Sequence, residues 1–255
     1  MKFEMLDKKM RVFEQNMDQT VLPGLYIVAR LDGRGFTRLT KDLLTLERPF
    51  DLRFRDAMIE TVRGLMNTGF KITYGYTESD EISLLFDINE NSFGRKARKL
   101  VSLLAGEASA RFTQALGSLG VFDCRIIPLP NDDLVIDYFR WRCEDANRNA
   151  LNAWCYWKLR DHGMSAPEAT KQLEGRSIAE KNEMLFQFGI NYNELPAWQK
   201  RGVGLFYTEV ERASLNPMNN QEVTVSRKQL AVETALPRNM EYDIFIKELL
   251  TRETP

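Results

Sequence analysis

The chain has 255 residues, with Lys+Arg 35 against Asp+Glu 36 and a net charge of −1. Hydrophobic residues make up 44% and aromatic residues 11%, which excludes a disordered chain and gives enough apolar surface for a core without a disulfide or metal staple. No apolar run approaches the roughly 20 residues of a membrane span, and the near-zero net charge leaves any nucleic-acid binding to local basic patches.

In chain order, the first 18 residues are charged throughout and do not read as a secretory signal. Residues 25–31, LYIVARL, form an apolar, β-branched run that ends at Asp32-Gly33 and predicts a buried strand. Phe54, Ala57, Met58, Val62, Leu65 and Met66 recur at helical spacing, predicting a helix over 53–66 that stops at Asn67 and Gly69. Two strands, 70–77 and 82–86, flank the polar turn Glu78-Ser79-Asp80-Glu81 and predict a hairpin. A long helix follows over 94–116, and then a strand over 121–129.

This β-α-β-β-α-β order is the ferredoxin-like pattern, an α+β layer of four antiparallel strands with two helices on one face. The remainder reads as mostly helical: 133–162, 166–174 with Ser165 as N-cap, and 178–186. Short strands at 202–209 and 222–226 precede a C-terminal helix over 242–251, and 215–221 reads as a loop or hairpin tip. The expected organisation is a catalytic region over 1–135 and a helical, short-strand region over 136–255, folded as one unit.

Several chemistries are excluded. His162 is the one histidine, so HExxH and multi-histidine metal sites are impossible, and its place at a helix end gives it no catalytic role. GxSxG, GxxxxGK[ST] and GxGxxG are all missing. Cys124, Cys143 and Cys155 lack CxxC spacing and read as reduced thiols of a cytoplasmic protein.

The informative feature is the acidic pair. Asp32 leaves the first strand and Asp80-Glu81 sit in the hairpin turn, so a split βαβ sheet brings them to one edge. Carboxylates placed together repel unless neutralised, and hard oxygen ligands near phosphate suit Mg²⁺. Two such ions can clamp both oxygens of an in-line displacement at phosphorus. Asp-Gly is also a common turn dipeptide, and an acidic turn is ordinarily a solvated one. Gly33 and Gly35 let the backbone approach a ligand, and they equally make a tight turn.

Arg95, Lys96, Arg98 and Lys99 open the second long helix, where a bound triphosphate would be favoured by side chains and helix end together, or a solvated charged face would result. Over 138–160, Arg140, Arg142 and Arg148 alternate with Asn147, Asn149 and aromatic residues, a mixture that contacts phosphates and stacks on unpaired bases. Trp141, Leu151, Trp154 and Trp157 read equally as core. Lys181, Lys200 and Arg201 are lesser RNA-binding candidates.

The stretches RLDGRGFTR, YGYTESDEISLLF, RKARKLVSLLAGEASARF, FDCRIIPLPN, YFRWRCEDANRNALNAWCYW, AEKNEMLFQFGINYNELPAWQKRG and VTVSRK together resemble the tRNA-histidine guanylyltransferase family, specifically its guanylyltransferase-like branch. The resemblance runs from about residue 20 to about 230. It implies a polymerase-palm-like fold and nucleotide addition to the 5′ end of tRNA, in the 3′-to-5′ direction. It implies Asp32, the Gly33 carbonyl and Asp80 as ligands of two Mg²⁺ ions, with Glu81 a required acid. It implies nucleotide contacts from Asp32, Gly33, Arg34, Gly35, Phe36, Thr37, Ser79 and Asp80. Lys96 and Lys99 match triphosphate-contacting positions, with Arg95 beside them, and Arg48 stands near a position where relatives have a lysine; all four are nucleotide-binding candidates.

ATP would activate the 5′-monophosphate, and the 3′-hydroxyl of GTP or another NTP would then displace AMP. The resemblance further implies a homotetramer, a dimer of dimers, with the tRNA acceptor stem spanning subunits. Where eukaryotic members read HINN, this chain reads Asn147-Arg148-Asn149-Ala150, and Thr37 stands where relatives have histidine. The first departure favours templated repair of 5′-truncated tRNA over guanylate addition to tRNA-histidine, and the second implies one altered nucleotide contact. A palm-type nucleotide cyclase and a non-catalytic RNA-binding module are the alternatives. The missing GGDEF-type signature counts against the first, and the intact Asp32, Asp80 and Glu81 against the second.

Overall fold

The computed structural model describes residues 2–215 and 222–251. In chain order the elements are α1 (Phe3–Gln15), β1 (Tyr26–Gly33), α2 (Phe36–Arg38), α3 (Leu52–Met66), β2 (Ile72–Glu78), β3 (Glu81–Phe86), α4 (Ala97–Leu116) and β4 (Phe122–Leu129). The second half holds α5 (Asp132–Asp161), α6 (Ala166–Leu173), α7 (Ile178–Gln187), α8 (Ala197–Arg201), β5 (Val203–Leu215), β6 (Glu222–Glu233) and α9 (Asn239–Thr251). The strands form one six-stranded sheet in the order β4-β1-β3-β2-β5-β6, antiparallel at every pairing.

The first four strands have the expected ferredoxin-like order, with β1 beside β3 at the centre. Both faces of β1 are covered, which explains its continuous apolar run. Ile27, Ala29 and Leu31 join Val62 and Leu65 of α3 and Leu104 and Phe112 of α4 in one core. Val28 faces the other way, with Tyr74, Tyr76 and Leu85, against Phe139 of α5 and Ile246 of α9. The two helices of the βαββαβ unit thus share one face, and the C-terminal region covers the other. A third core joins Leu151, Cys155 and Leu159 of α5 to Leu173 of α6 and Leu185 of α7. Truncating a fully buried side chain such as Leu104 to alanine costs about 2–5 kcal/mol.

The helix ends follow their sequence signals. Asp51 caps α3 by accepting from the backbone N–H groups of Arg53 and Phe54. Ser165 caps α6 in a reciprocal box with Glu168, and Ser177 does the same for α7 with Glu180. β5 and β6 run well past the short strands expected from sequence and pair over twelve rungs, from Gly204↔Glu233 to Leu215↔Glu222. Residues 216–221 of the expected loop lie outside the described residues. Cys124, Cys143 and Cys155 are free thiols, and among the described residues no helix is long and apolar enough to cross a membrane.

Candidate active site

The site starts from the register of the central strands. Asp32 stands opposite Glu81 on the last rung of the β1–β3 ladder. Glu78 and Glu81 also pair across the β2–β3 hairpin, so Ser79 and Asp80 alone make the turn. Two-residue hairpin loops favour left-handed backbone, and Ser79 adopts φ +48°. Beyond the ladder, the Gly33 N–H donates to the Asp80 carbonyl at 3.1 Å. The chain then turns through Gly35, at φ +75°, into α2. A Cβ on Gly33 would lie 2.5 Å from the Phe36 ring, so only glycine lets that buried ring close the turn.

The Asp80 carboxyl is pushed up to about 6, first by burial and then by the negative charges of Asp32 and Glu81. Its own backbone N–H and the Ser79 hydroxyl oppose that rise, the hydroxyl donating at 3.1 Å. Among the described residues no basic side chain forms an ion pair with it. Among the described residues the one ion pair of Asp32 is a distant one, 4.0 Å to Arg125. No three His, Cys, Asp or Glu side chains among the described residues are gathered as a metal cage. Two under-neutralised carboxylates beside a backbone turn fit Mg²⁺, which takes one or two protein carboxylates and otherwise water or phosphate.

Glu81 has a different role from a free acid. Its carboxylate accepts from Arg30 at 2.5 Å and from Arg142 at 2.6 Å. Arg142 also reaches Glu78 at 3.4 Å and Asp145 at 3.2 Å. The expectation that Arg142 contacts RNA is corrected: its side chain is 2% exposed and spent on these three acids. Arg142 ties α5 to the hairpin that carries Asp80. Glu78 is raised to about 8, by burial first and then by Glu81, with Arg142 opposing.

A cleft of about 290 Å³ opens beside the turn. Of the expected nucleotide residues, Phe36, Thr37, Arg48, Ser79 and Asp80 line it. The Arg48 guanidinium lies 4.1 Å from the Trp157 ring centre, and Arg55 lies 4.9 Å from that of Trp198. Trp157 therefore belongs to the cleft wall rather than the core, and Trp141 is 53% exposed. Arg55, Trp198 and Asp51 also line the cleft. Sequence reasoning missed these three, although Arg55 lies one turn into the helix that Asp51 caps.

Other expected contacts fall outside this cleft. Arg95 is corrected: it is buried, and its guanidinium donates to the carbonyls of Val21, Leu25, Ile88 and Glu90, which fixes the loop before α4. Lys96 pairs with Asp18 at 2.8 Å, and Lys99 lies over the exposed Phe93 ring at 5.7 Å. Asp32 and Gly33, half-buried, and Arg34 and Gly35, exposed, lie along the turn and do not line the cleft.

A second depression, of about 500 Å³, gathers Arg140, Asn147, Arg148, Lys200 and Arg201 with Arg238. Lys200 is corrected as a surface contact: it is buried and donates to the carbonyls of Tyr192 and Asn193 at 3.1 and 2.7 Å. Burial, then the charges of Arg238 and Arg201, lower it to about 8. Arg201 donates to the Leu236 carbonyl at 2.6 Å, and Arg140 pairs with Asp137 and with Asp243. Asn149 bonds to Asp145, and neither it nor Lys181 lines the depression.

A family model described as tRNAHis guanylyltransferase matches residues 7–130, and a second, the Thg1 C terminal domain, matches 133–246. The Bos taurus "Probable tRNA(His) guanylyltransferase" is 31% identical, over 91% of this chain and 83% of its own length. The Neurospora crassa "tRNA(His) guanylyltransferase" is 36% identical, over 76% and 70%. Among solved structures, a bacterial Thg1-like protein in complex with ATP aligns with a TM-score of 0.77 at 24% identity, covering 96% of this chain and 98% of that one. The Saccharomyces cerevisiae tRNA(His) guanylyltransferase aligns at 0.70 and 26%, covering 84% and 94%. A matched core of βαββαβ order, two acids joined at one turn and relatives aligned over most of both chains agree: this chain belongs to the tRNA(His) guanylyltransferase family.

Proposed function

We propose that this chain adds a guanosine nucleotide to the 5′ end of tRNA, the 3′-hydroxyl of GTP displacing AMP from the ATP-activated 5′-phosphate, with tRNA-histidine the first substrate to examine. The observation that carries the reading is the hydrogen-bonded junction of Gly33 and Asp80, which joins the strand end bearing Asp32 to the turn whose Asp80 lines a cationic, aromatic cleft. The names of the relatives favour guanylate addition over the templated repair expected from sequence.

Asp32, Asp80 and the Gly33 carbonyl would hold Mg²⁺, which when bound supplies positive charge at the phosphates. Asp80, under-neutralised in the fold, gains a partner there. The Ser79 and Thr37 hydroxyls offer donors at the cleft floor, and Arg48, held on Trp157, offers a fixed cation to phosphate or base. Glu81 acts through Arg30 and Arg142, as a strut that fixes the hairpin. Catalysis on this reading is positioning and charge neutralisation, for which no histidine base is needed. The Arg148–Arg238 depression would take the tRNA backbone, with Asn147 at its edge. A tetrameric assembly remains an expectation on which none of this depends.

Templated 3′-to-5′ extension is the second reading, favoured by the Asn147-Arg148-Asn149-Ala150 segment. The two separate in one experiment. tRNA-histidine lacking its extra guanylate, with a 5′-monophosphate, is offered ATP and each NTP while the opposing base is varied through all four. Guanylate added whatever the opposing base supports the first reading. Addition that tracks Watson–Crick complementarity supports the second.

A further inference from the structure

We propose that Gln199, oriented by Trp154, selects the base of the nucleotide that enters the cleft. Its amide donates to the O6 carbonyl of guanine and turns away adenine, which carries an amino group at the same position. The contact rests on the reading of this cleft as a nucleotide site, and would let the protein choose guanine with no template base.

A glutamine amide is ambivalent, since its oxygen accepts and its nitrogen donates. Trp154 removes the ambivalence. Indole N–H is a donor only, and it donates to Gln199 Oε1 at 3.2 Å. The opposite orientation would set donor against donor, so the amide is fixed with Nε2 turned from the indole. Gln199 is half-buried and lines the cleft, and among the described residues its Nε2 makes no hydrogen bond. Its two N–H groups are left for a ligand. The backbone beneath is held as well: the Gln199 N–H donates to the Pro196 carbonyl at 3.2 Å, and the neighbouring Lys200 is anchored on the carbonyls of Tyr192 and Asn193.

Among the described residues Gln199 is the one side-chain amide that lines the cleft. Thr40 and Thr77 are spent on the carbonyls of Phe36 and Glu81, and Asp51 on the start of its own helix. Ser79 and Thr37 lie with the acidic turn, the end to which phosphates are drawn. Trp198 precedes Gln199, and Trp157 stands one turn along α5 from Trp154; both line the cleft, and aromatic faces are where a base settles. An N–H facing guanine O6 gains a hydrogen bond. Facing adenine N6 it meets a second donor, and both groups give up water with nothing in return, a discrimination of roughly 5–30-fold.

The test is calorimetric titration of the full-length protein, with Mg²⁺ and without RNA, by GTP, ITP and ATP in turn. ITP carries the O6 of guanine but lacks its 2-amino group, so it isolates the contact. The wild type should bind GTP and ITP alike and ATP more weakly by roughly 5–30-fold. Gln199→Leu should bring the three together by weakening GTP and ITP. Gln199→Glu should reverse the order, since a carboxylate accepts from the amino group and repels O6. Trp154→Phe frees the amide to present its oxygen, and should lie between wild type and Gln199→Leu. Thermal unfolding of each variant checks the fold. ITP bound as weakly as ATP by the wild type, or a preference for GTP that survives in a folded Gln199 variant, overturns the proposal. A preference unchanged in Trp154→Phe overturns the part given to Trp154. GTP and ATP bound equally by the wild type overturn the base selection alone, whereas binding of neither overturns the nucleotide-site reading with it.

Discussion

The Gly33 N–H and the Asp80 carbonyl are hydrogen-bonded at 3.1 Å, one step past the final rung of the β1–β3 ladder. The strand end that carries Asp32 and the hairpin turn that carries Asp80 are therefore one covalently distant but mechanically continuous unit. Every catalytic expectation above depends on that junction.

Gly33→Ala tests it with the least chemical change. The added Cβ would meet the Phe36 ring at 2.5 Å, and Phe36 is buried among Phe54, Phe112 and Phe122. The ring has little room to yield, so a stability loss of about 1–3 kcal/mol is expected by thermal or denaturant unfolding. Nucleotide addition should fall further than the loss of folded protein explains.

Arg142 should behave as a buried strut. Arg142→Met leaves Glu81 and Glu78 without their shared cation, at an expected cost of about 3–5 kcal/mol. Arg142→Lys keeps the charge but loses the fork, and should fall between wild type and Arg142→Met. If Arg142 instead contacted RNA, its removal would weaken tRNA binding while leaving the unfolding midpoint unchanged.

The cleft wall should show in nucleotide affinity. Trp157→Ala removes the surface that holds Arg48, and a loss of about 1–2 kcal/mol corresponds to a roughly 5–30-fold rise in KM for the NTP. Arg48→Ala should give a similar rise, and the double variant little more, because the two act as one unit. Steady-state kinetics on a fixed tRNA concentration measure all three.

Asp51 links the same cleft to pH. Burial pushes its carboxyl up, but Arg53 and the N–H groups of Glu47, Phe54 and Arg53 outweigh that and bring it down to about 2. A carboxyl depressed in the fold contributes stability that is full above its unfolded value and lost as pH falls toward its folded one. The contribution should therefore disappear between about pH 4 and pH 2, and Asp51→Ala should be about 1–2 kcal/mol less stable than wild type at pH 7. The difference between the two proteins should shrink across that acid range, as followed by urea unfolding.

Much of the fold was legible because its signals are local. The apolar run of β1, the helical spacing from Phe54 to Met66 and the Ser165 cap each announce an element within a few residues. The acids at Asp32 and Asp80 were legible because turn position follows from strand order. What escaped depends on distant partners. Beyond residue 209 the polar residues Glu209 and Glu211 conceal a strand, because β6 supplies its pairing. Arg142 looked like an RNA contact because its acids, Glu78 and Glu81, lie more than sixty residues upstream. Arg95 and Lys200 misled for the same reason, each being satisfied by carbonyls from other segments.

The most direct measurement of the central claim is 5′ addition to monophosphorylated tRNA-histidine, with ATP, GTP and Mg²⁺, by wild type beside Asp32→Ala and Asp80→Ala. The wild type should extend the tRNA by one guanylate. Each variant should remain folded and lose at least about 10³-fold in rate, as expected when charge stabilisation worth several kcal/mol is removed. No extension by the wild type, or extension undiminished in either variant, would contradict the account.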